Sequence, residues 1–441
     1  MVKPPPDNLA NAPATPSTPP QFQQRDQRYL WVLLGLLMSV TIFEAYDLTI
    51  FNLCTPDIAK TFHLDDRAIG RLHSTVRFGG MMAFFVVLLA DRFGRRAIVA
   101  TTVLCYALYT LFTAMSQGLG TFTIFQSSAQ VFLSAEFAVS TIMISEEFPP
   151  ESRGRGISAL NAMGLMGVVA GSGLYGIVAA RWGWRAMYYI GVAPLLLVAY
   201  LRRGIKETAR FELILNARGR EQVSALSRIA ETVKHAAAPI FGPYWRRVLL
   251  VALLWNCVGL VQAPAVTFFS LYVQRDHHWT KGQVGEAVVI SYLFGSVGIL
   301  IAGWAIDRFG RKFTTGILYI IGAIAIRSLF KLDDYFAMLV AQIVTVMAFQ
   351  GARTATATYS TELFPTEIRG ASYSFTVQLL GQLAAFATPF TVGTLSKRMG
   401  GLGNAVAIVA IGPIIGALLV WIFAPETRGR SLEELRVAEA D

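Results

Sequence analysis

Six ionisable side chains stand inside long apolar stretches of the sequence: Glu44, Asp47, Arg77, Glu136, Arg327 and Arg353. In a membrane, a charge in the middle of such a stretch costs a few kcal/mol, so each of these groups needs a cavity or a partner. Glu44 and Asp47 are three residues apart and therefore share a helix face. Two close carboxylates repel, and a low dielectric opposes charging either one, so both suit the uptake and release of a proton. Asp47 is the first candidate for that role, with Glu44 beside it and Glu136 as the second choice. Either acid could instead simply pair with Arg77. Arg77 and Arg353 carry planar forks that match a carboxylate, which makes them candidates to bind an anionic substrate. Arg353 and Glu136 could also attract one another without touching substrate. Arg327 lies nearer the end of its stretch, where its head can reach the interface, and reads as structural. Tyr46, Asn256, Gln262, Tyr292 and Gln378 are polar or aromatic groups that could line the same cavity; for most of them an interhelical hydrogen bond is the alternative.

The elements that must position these groups are membrane spans. The chain has 441 residues, 54% of them hydrophobic and 15% charged, with a mean hydropathy of +0.50. A soluble domain would carry about 25% charged residues. Apolar length predicts an all-α membrane protein with twelve spans, at 29–56, 68–90, 97–115, 121–146, 156–180, 184–201, 247–273, 283–306, 313–331, 335–361, 371–396 and 403–423. The first six form one bundle over 29–202 and the last six a second over 247–424. Residues 1–28 are rich in Pro, Asn, Ser, Thr and Gln and are expected to be a disordered tail. Residues 203–246 form a linker in which charges alternate with apolar residues, as in amphipathic surface helices. Residues 425–441 are a closing tail.

The net charge of +10 is explained by topology. Arg25, Arg28, Arg92, Arg95, Arg96, Arg153, Arg308, Arg311, Lys312, Arg369 and Arg428, with the basic linker, fall on one side of the predicted spans. The other side carries far fewer, so the Lys/Arg-rich side is expected to be cytoplasmic, with both termini on it. No nucleic-acid partner is called for, because no zinc spacing, zipper or RNA-binding signature is present. Cys54, Cys105 and Cys257 fit neither a disulfide framework nor a metal site. No cofactor is expected, and no nucleophile–base pair or phosphate loop supports an enzyme.

A short motif on the Lys/Arg-rich side occurs twice. Asp91-Arg92-Phe93-Gly94-Arg95-Arg96 returns as Asp307-Arg308-Phe309-Gly310-Arg311-Lys312, an offset of 216 residues (307 − 91 = 216). Phe148-Pro149 and Arg153-Gly154 return at the same offset as Phe364-Pro365 and Arg369-Gly370. Two motifs in one register mark a duplicated unit. Gly94 and Gly310 permit a tight turn. Asp91 and Asp307 could accept hydrogen bonds from helix starts or pair with a nearby Arg. The flanking arginines, Arg92, Arg95, Arg308 and Arg311, could bridge the halves in one conformation and release them in another, or only set topology.

The doubled motif resembles the signature of the major facilitator superfamily, and the resemblance covers nearly everything after the tail. It implies two six-helix pseudo-repeats, alternating access, a gate at the motif, a monomer, and the inner membrane of a bacterial host. Pro425-Glu426-Thr427-Arg428-Gly429-Arg430 looks like the closing motif of sugar porters and their organic-ion relatives, and Lys206-Glu207-Thr208 resembles the related motif after span 6. Glu44-Ala45-Tyr46-Asp47 is similar to the acidic–Gly–aromatic–Asp motif of aromatic acid:proton symporters, with Ala in place of Gly. One departure stands out. The family usually has an Arg early in span 4, where this sequence reads Phe125-Gln126-Ser127-Ser128-Ala129-Gln130. The expectation is a symporter that takes up protons with a small organic anion, aromatic carboxylates included. A sugar or polyol porter is the alternative within the class, and a membrane sensor that does not transport is the rival outside it.

Overall fold

The computed structural model describes residues 26–201, 205–208, 245–363 and 375–427. Most of the expected tail over 1–28, nearly all of the linker over 203–246, and residues 428–441 lie outside the described residues, as do the side chains of Asp91 and Arg92.

The first half holds α1 (Gln27–Leu53), α2 (Asp66–Phe93), α3 (Arg95–Met115), α4 (Leu119–Glu147), α5 (Pro150–Leu174) and α6 (Trp184–Leu201). The second half holds α7 (Trp245–Thr267), α8 (Lys281–Phe309), α9 (Arg311–Leu329), α10 (Tyr335–Leu363), α11 (Phe375–Met399) and α12 (Leu402–Phe423). Eleven helical stretches among the described residues are long and apolar enough to cross a membrane, and α6 packs beside α1 and α3 as the twelfth member of the set. Local chemistry sets several ends. The Asp65 side chain accepts from the Ala68 amide to start α2, and Thr280 with Gln283 forms a capping box at α8. Gly94 and Gly310 take φ of 93° and 94° at the two motif turns, a region open to glycine at little cost.

The two halves repeat one packing scheme. In the first, α1 packs on α5, α2 and α3 on α4, and α3 on α6; in the second, α7 packs on α11, α8 and α9 on α10, and α9 on α12. The sequence repeat is thus a repeat of whole bundles. Not every helix is continuous. A π turn over Tyr175–Ala179 extends α5, a bend at Phe268 separates α7 from a short extension (Phe269–Arg275), and a 3₁₀ turn over Leu380–Gln382 interrupts α11.

The halves meet along two seams, α2 against α11 and α5 against α8. Small residues allow the approach: a Cβ at Gly70 would strike the Pro389 carbonyl, and one at Gly285 the Ser172 carbonyl. On the side away from the chain termini a single apolar core joins both halves, with Phe51, Phe122 and Trp184 from the first and Phe268, Phe269, Trp279 and Phe330 from the second. Toward the termini the cores are separate. Leu37, Val139 and Met143 belong to one, and Val251, Tyr319 and Tyr359 to the other. Polar ties between the halves cluster on the joined side. Ser270 Oγ donates to the Leu53 carbonyl at 2.7 Å, Lys281 Nζ pairs with Asp57 at 2.6 Å, and Arg275 pairs with Asp66 at 2.6 Å. The molecule is therefore closed at the end remote from its termini, with its two halves separately cored at the other.

Candidate functional site

Helices α1, α2 and α4 of the first half and α7, α8 and α10 of the second carry the intramembrane charges and their polar neighbours. Asp47 is buried, and its carboxylate accepts a hydrogen bond from Gln126 Nε2 of α4 at 3.2 Å. The alternative in which an acid pairs with Arg77 is not formed among the described residues. Arg77 reaches across to the second half instead, where Nη2 donates to Thr267 Oγ1 at 3.3 Å, while its buried Nε has no hydrogen-bond partner. The Gln126 contact falls in the stretch that departs from the family pattern, so a neutral amide occupies the place beside Asp47.

Glu44 has different neighbours. Its carboxyl lies within electrostatic range of Glu136 and Arg353. The repulsion expected between Glu44 and Asp47 falls between Glu44 and Glu136 instead, because the α1 face turns Asp47 toward Gln126. Glu136 is buried and accepts from Ser140 Oγ at 2.6 Å. Arg353 is exposed and makes no ion pair with a described residue. Tyr292 of α8 sits within electrostatic range of both Arg77 and Arg353. Two arginines from opposite halves thus lie within electrostatic range of one phenol; Arg353 also lies within range of the Glu44 carboxyl, while Arg77 makes no ion pair with a described residue. Guanidinium groups in such a place can bind an anion, and the phenol adds a hydroxyl and an aromatic face.

The other predicted lining residues divide. Tyr46 is buried, and its hydroxyl donates to the Met187 carbonyl at 2.7 Å, which ties α1 to α6. All the polar atoms of Asn256 are engaged with backbone groups of α7 and α11. Gln262 is half-buried and Gln378 exposed. Arg327 Nη1 reaches the Ala407 carbonyl at 3.5 Å, in keeping with a structural role.

Among the described contacts, the repeated motif builds the same network in each half. Arg95 Nη2 pairs with Glu146 at 3.1 Å, and Arg311 Nη2 pairs with Glu362 at 2.9 Å. Thr208 Oγ1 donates to Glu146, and Thr427 Oγ1 to Glu362. Glu207 accepts the Arg95 and Arg96 amides at the start of α3; Glu426 accepts those of Arg311 and Lys312 at the start of α9. A carboxylate there meets both unpaired amides and the positive end of the helix dipole. Of the two roles open to Asp307, a helix start or a nearby Arg, it takes the second: it is largely exposed and pairs with Arg311 at 3.5 Å. Arg308 is exposed.

Sequence reasoning passed over His73. It is buried one turn before Arg77, contacts Thr55 Oγ1 through Nε2 at 3.0 Å, and stacks near Phe51 with ring centroids 4.3 Å apart. A histidine four residues from an arginine inside an apolar span was the available signal.

Comparison with known proteins agrees with this architecture. A family model described as Major Facilitator Superfamily matches residues 37–272 and 251–439. The niacin transporter NiaP of Acinetobacter baylyi is 26% identical over 436 residues, covering 92% of this chain and 97% of that protein. The 4-hydroxybenzoate transporter PcaK of Pseudomonas putida is 25% identical over 399 residues, covering 85% and 88%. The inward-open structure of the xylose transporter XylE from E. coli matches with a TM-score of 0.74 at 20% identity, covering 93% of this chain and 100% of that one.

Proposed function

The chain belongs to the major facilitator superfamily, and from that premise we propose that it is a proton-coupled symporter that takes up a small organic anion, with aromatic carboxylates as the leading class. Its activity is transport rather than catalysis. The observation that carries the substrate class is Arg77, which reaches across the halves to Thr267 with its buried Nε lacking a hydrogen-bond partner, together with Arg353 of the other half, which makes no ion pair with a described residue. An unpaired guanidinium inside a membrane protein is costly, and a substrate carboxylate meets that cost by bridging the halves. The names of the relatives, a niacin and a 4-hydroxybenzoate transporter, fit a ring-bearing acid.

The protons are assigned to the first half. Asp47 is buried with one amide donor and, among the described residues, no cation within ion-pair distance, so a proton neutralises it where a charge is expensive. Glu44 lies within electrostatic range of both Glu136 and Arg353, which supports proton sites beside an anion site. The side that bears the termini and the doubled motif is taken as cytoplasmic, because it is rich in Lys and Arg. On that assignment the protein is a monomer in the inner membrane, closed to the outside here and open inward. Rocking of the halves about the site would then expose it alternately. Arg95 and Arg311, which pair with Glu146 and Glu362 of their own halves in this state, would engage the opposite half in the other.

A sugar porter leaves both arginines without a role. The test is uptake of labelled benzoate-type acids and labelled hexoses into proteoliposomes. Arg77→Ala or Arg353→Ala removes charge-assisted hydrogen bonds worth about 1.5–3 kcal/mol, so KM for the acid should rise roughly 10- to 100-fold. Uptake of hexose but not acid would refute the proposal.

A further inference from the structure

Helix α11 is built in pieces, and a side chain from α7 occupies its break. In an uninterrupted α-helix the Ala384 amide would donate to the Leu380 carbonyl. Here the Asn256 carboxamide lies between them. Oδ1 accepts from the Ala384 amide at 2.5 Å, and Nδ2 donates to the Leu380 carbonyl at 2.8 Å and to the Ala252 carbonyl at 2.7 Å. The backbone shifts accordingly, with the Leu383 amide turning to Leu380 in a 3₁₀ turn over Leu380–Gln382. Insertion of a side chain into the i→i−4 ladder is one of the few causes of a sharp helix break. Neighbouring contacts fit the same shape. Gly381 lies against Trp255, where an added Cβ would sit 2.7 Å from the Trp255 Cβ.

The break lies at the seam where α11 meets the other half. Phe375 and Phe386 of α11 contact Phe84 and Phe78 of α2, and Gln378 and Gln382 lie between them in sequence at helical spacing. A second insertion occurs one and a half turns further on. Ser74 of α2 donates to the Phe386 carbonyl at 2.6 Å and accepts from the Phe390 amide at 3.1 Å. One insertion is internal to the second half and the other crosses between halves.

We propose that Asn256 is a positioning residue: by standing in for the 384→380 backbone bond, its carboxamide holds α11 broken and sets where Gln378 and Gln382 face the substrate path. Gln378 is one of the lining candidates read from the sequence and Gln382 follows it four residues on; that they border a substrate path extends the transport proposal above, whereas the role of Asn256 in the helix does not rest on it. A direct substrate ligand would need a free polar atom, and both polar atoms of Asn256 are already engaged.

The test is amide hydrogen exchange over 380–386 in nanodiscs without substrate, paired with uptake kinetics. Asn256→Ala leaves the Ala384 amide without its acceptor, so exchange there should be at least about fivefold faster. Asn256→Asp keeps an acceptor and should restore protection at Ala384. In uptake, Asn256→Ala should raise KM for the acid while Vmax stays within about twofold. Unchanged exchange in Asn256→Ala with a raised KM would overturn the proposal and make Asn256 a ligand. Should Asn256→Ala fail to fold, Asn256→Asp decides alone: retained protection at Ala384 supports the proposal and lost protection overturns it. If the parent takes up no organic acid, the transport proposal fails while the exchange result still stands.

Discussion

Breaking the ion pairs on the closed side should shift the resting conformation. Asp66 at the start of α2 pairs with Arg275 from the second half at 2.6 Å and accepts from Ser396 Oγ of α11. Asp57 pairs with Lys281 at the start of α8 at 2.6 Å. The Arg275 side chain is 41% exposed, which discounts its pair to roughly 0.5–1 kcal/mol. The Lys281–Asp57 pair is about one-fifth exposed and belongs at the upper end of that range. The double variant Asp66→Asn, Lys281→Ala therefore loses about 2 kcal/mol of inter-half attraction, roughly a 30-fold change in the balance of states. If about 1 molecule in 100 is open on this side at rest, about 1 in 4 should be open in the variant. Spin labels at Lys60→Cys and Asp333→Cys, one on each half and both exposed, would report the separation by pulsed electron resonance. A new long-distance population is expected. An unchanged distance distribution in a folded double variant would refute the view that these pairs hold that side shut.

Two further perturbations probe other parts of the structure. Glu146→Ala removes a carboxylate paired with the buried Arg95 guanidinium and should cost about 3 kcal/mol, whereas Glu207→Gln, which only weakens a helix start, should cost about 1 kcal/mol; thermal unfolding in detergent would rank them. Gln126→Arg places a cation beside Asp47 and holds it as a paired carboxylate, so gradient-driven accumulation should be lost while substrate exchange persists, measured by counterflow in proteoliposomes.

Much of the architecture was legible because membrane spans are defined by local composition. Apolar runs located the helices, and the 216-residue register of the Gly94 and Gly310 motifs revealed two equivalent bundles. The intramembrane charges stood out for the same reason: Glu44, Arg77 and Arg353 are conspicuous among Leu, Val and Phe. Their partners were not legible. Which face of α1 meets α4 decides that Asp47 meets Gln126, and no spacing within α1 encodes that. The acids of the motif network come from distant parts of the chain: Glu207 and Glu426 were visible only as parts of short motifs, and Glu146 and Glu362 were passed over. Asn256 looked like a cavity residue because a polar group in an apolar span invites that inference. Its use as a surrogate backbone partner depends on the break in α11, where propensity gives no warning at Leu379 and Leu380. The π turn after α5 is equally silent in the sequence, since it answers to packing against α8.

The most direct measurement is accumulation of a labelled aromatic acid in proteoliposomes, with and without an inward proton gradient, for the parent and for Asp47→Asn. The parent should concentrate the acid only when the gradient is present. Asp47→Asn should lose concentration but keep exchange, because substrate still binds between Arg77 and Arg353 while the proton has no carrier. Accumulation that ignores the gradient, or an Asp47→Asn variant that concentrates the acid as the parent does, would show that Asp47 does not couple protons to transport.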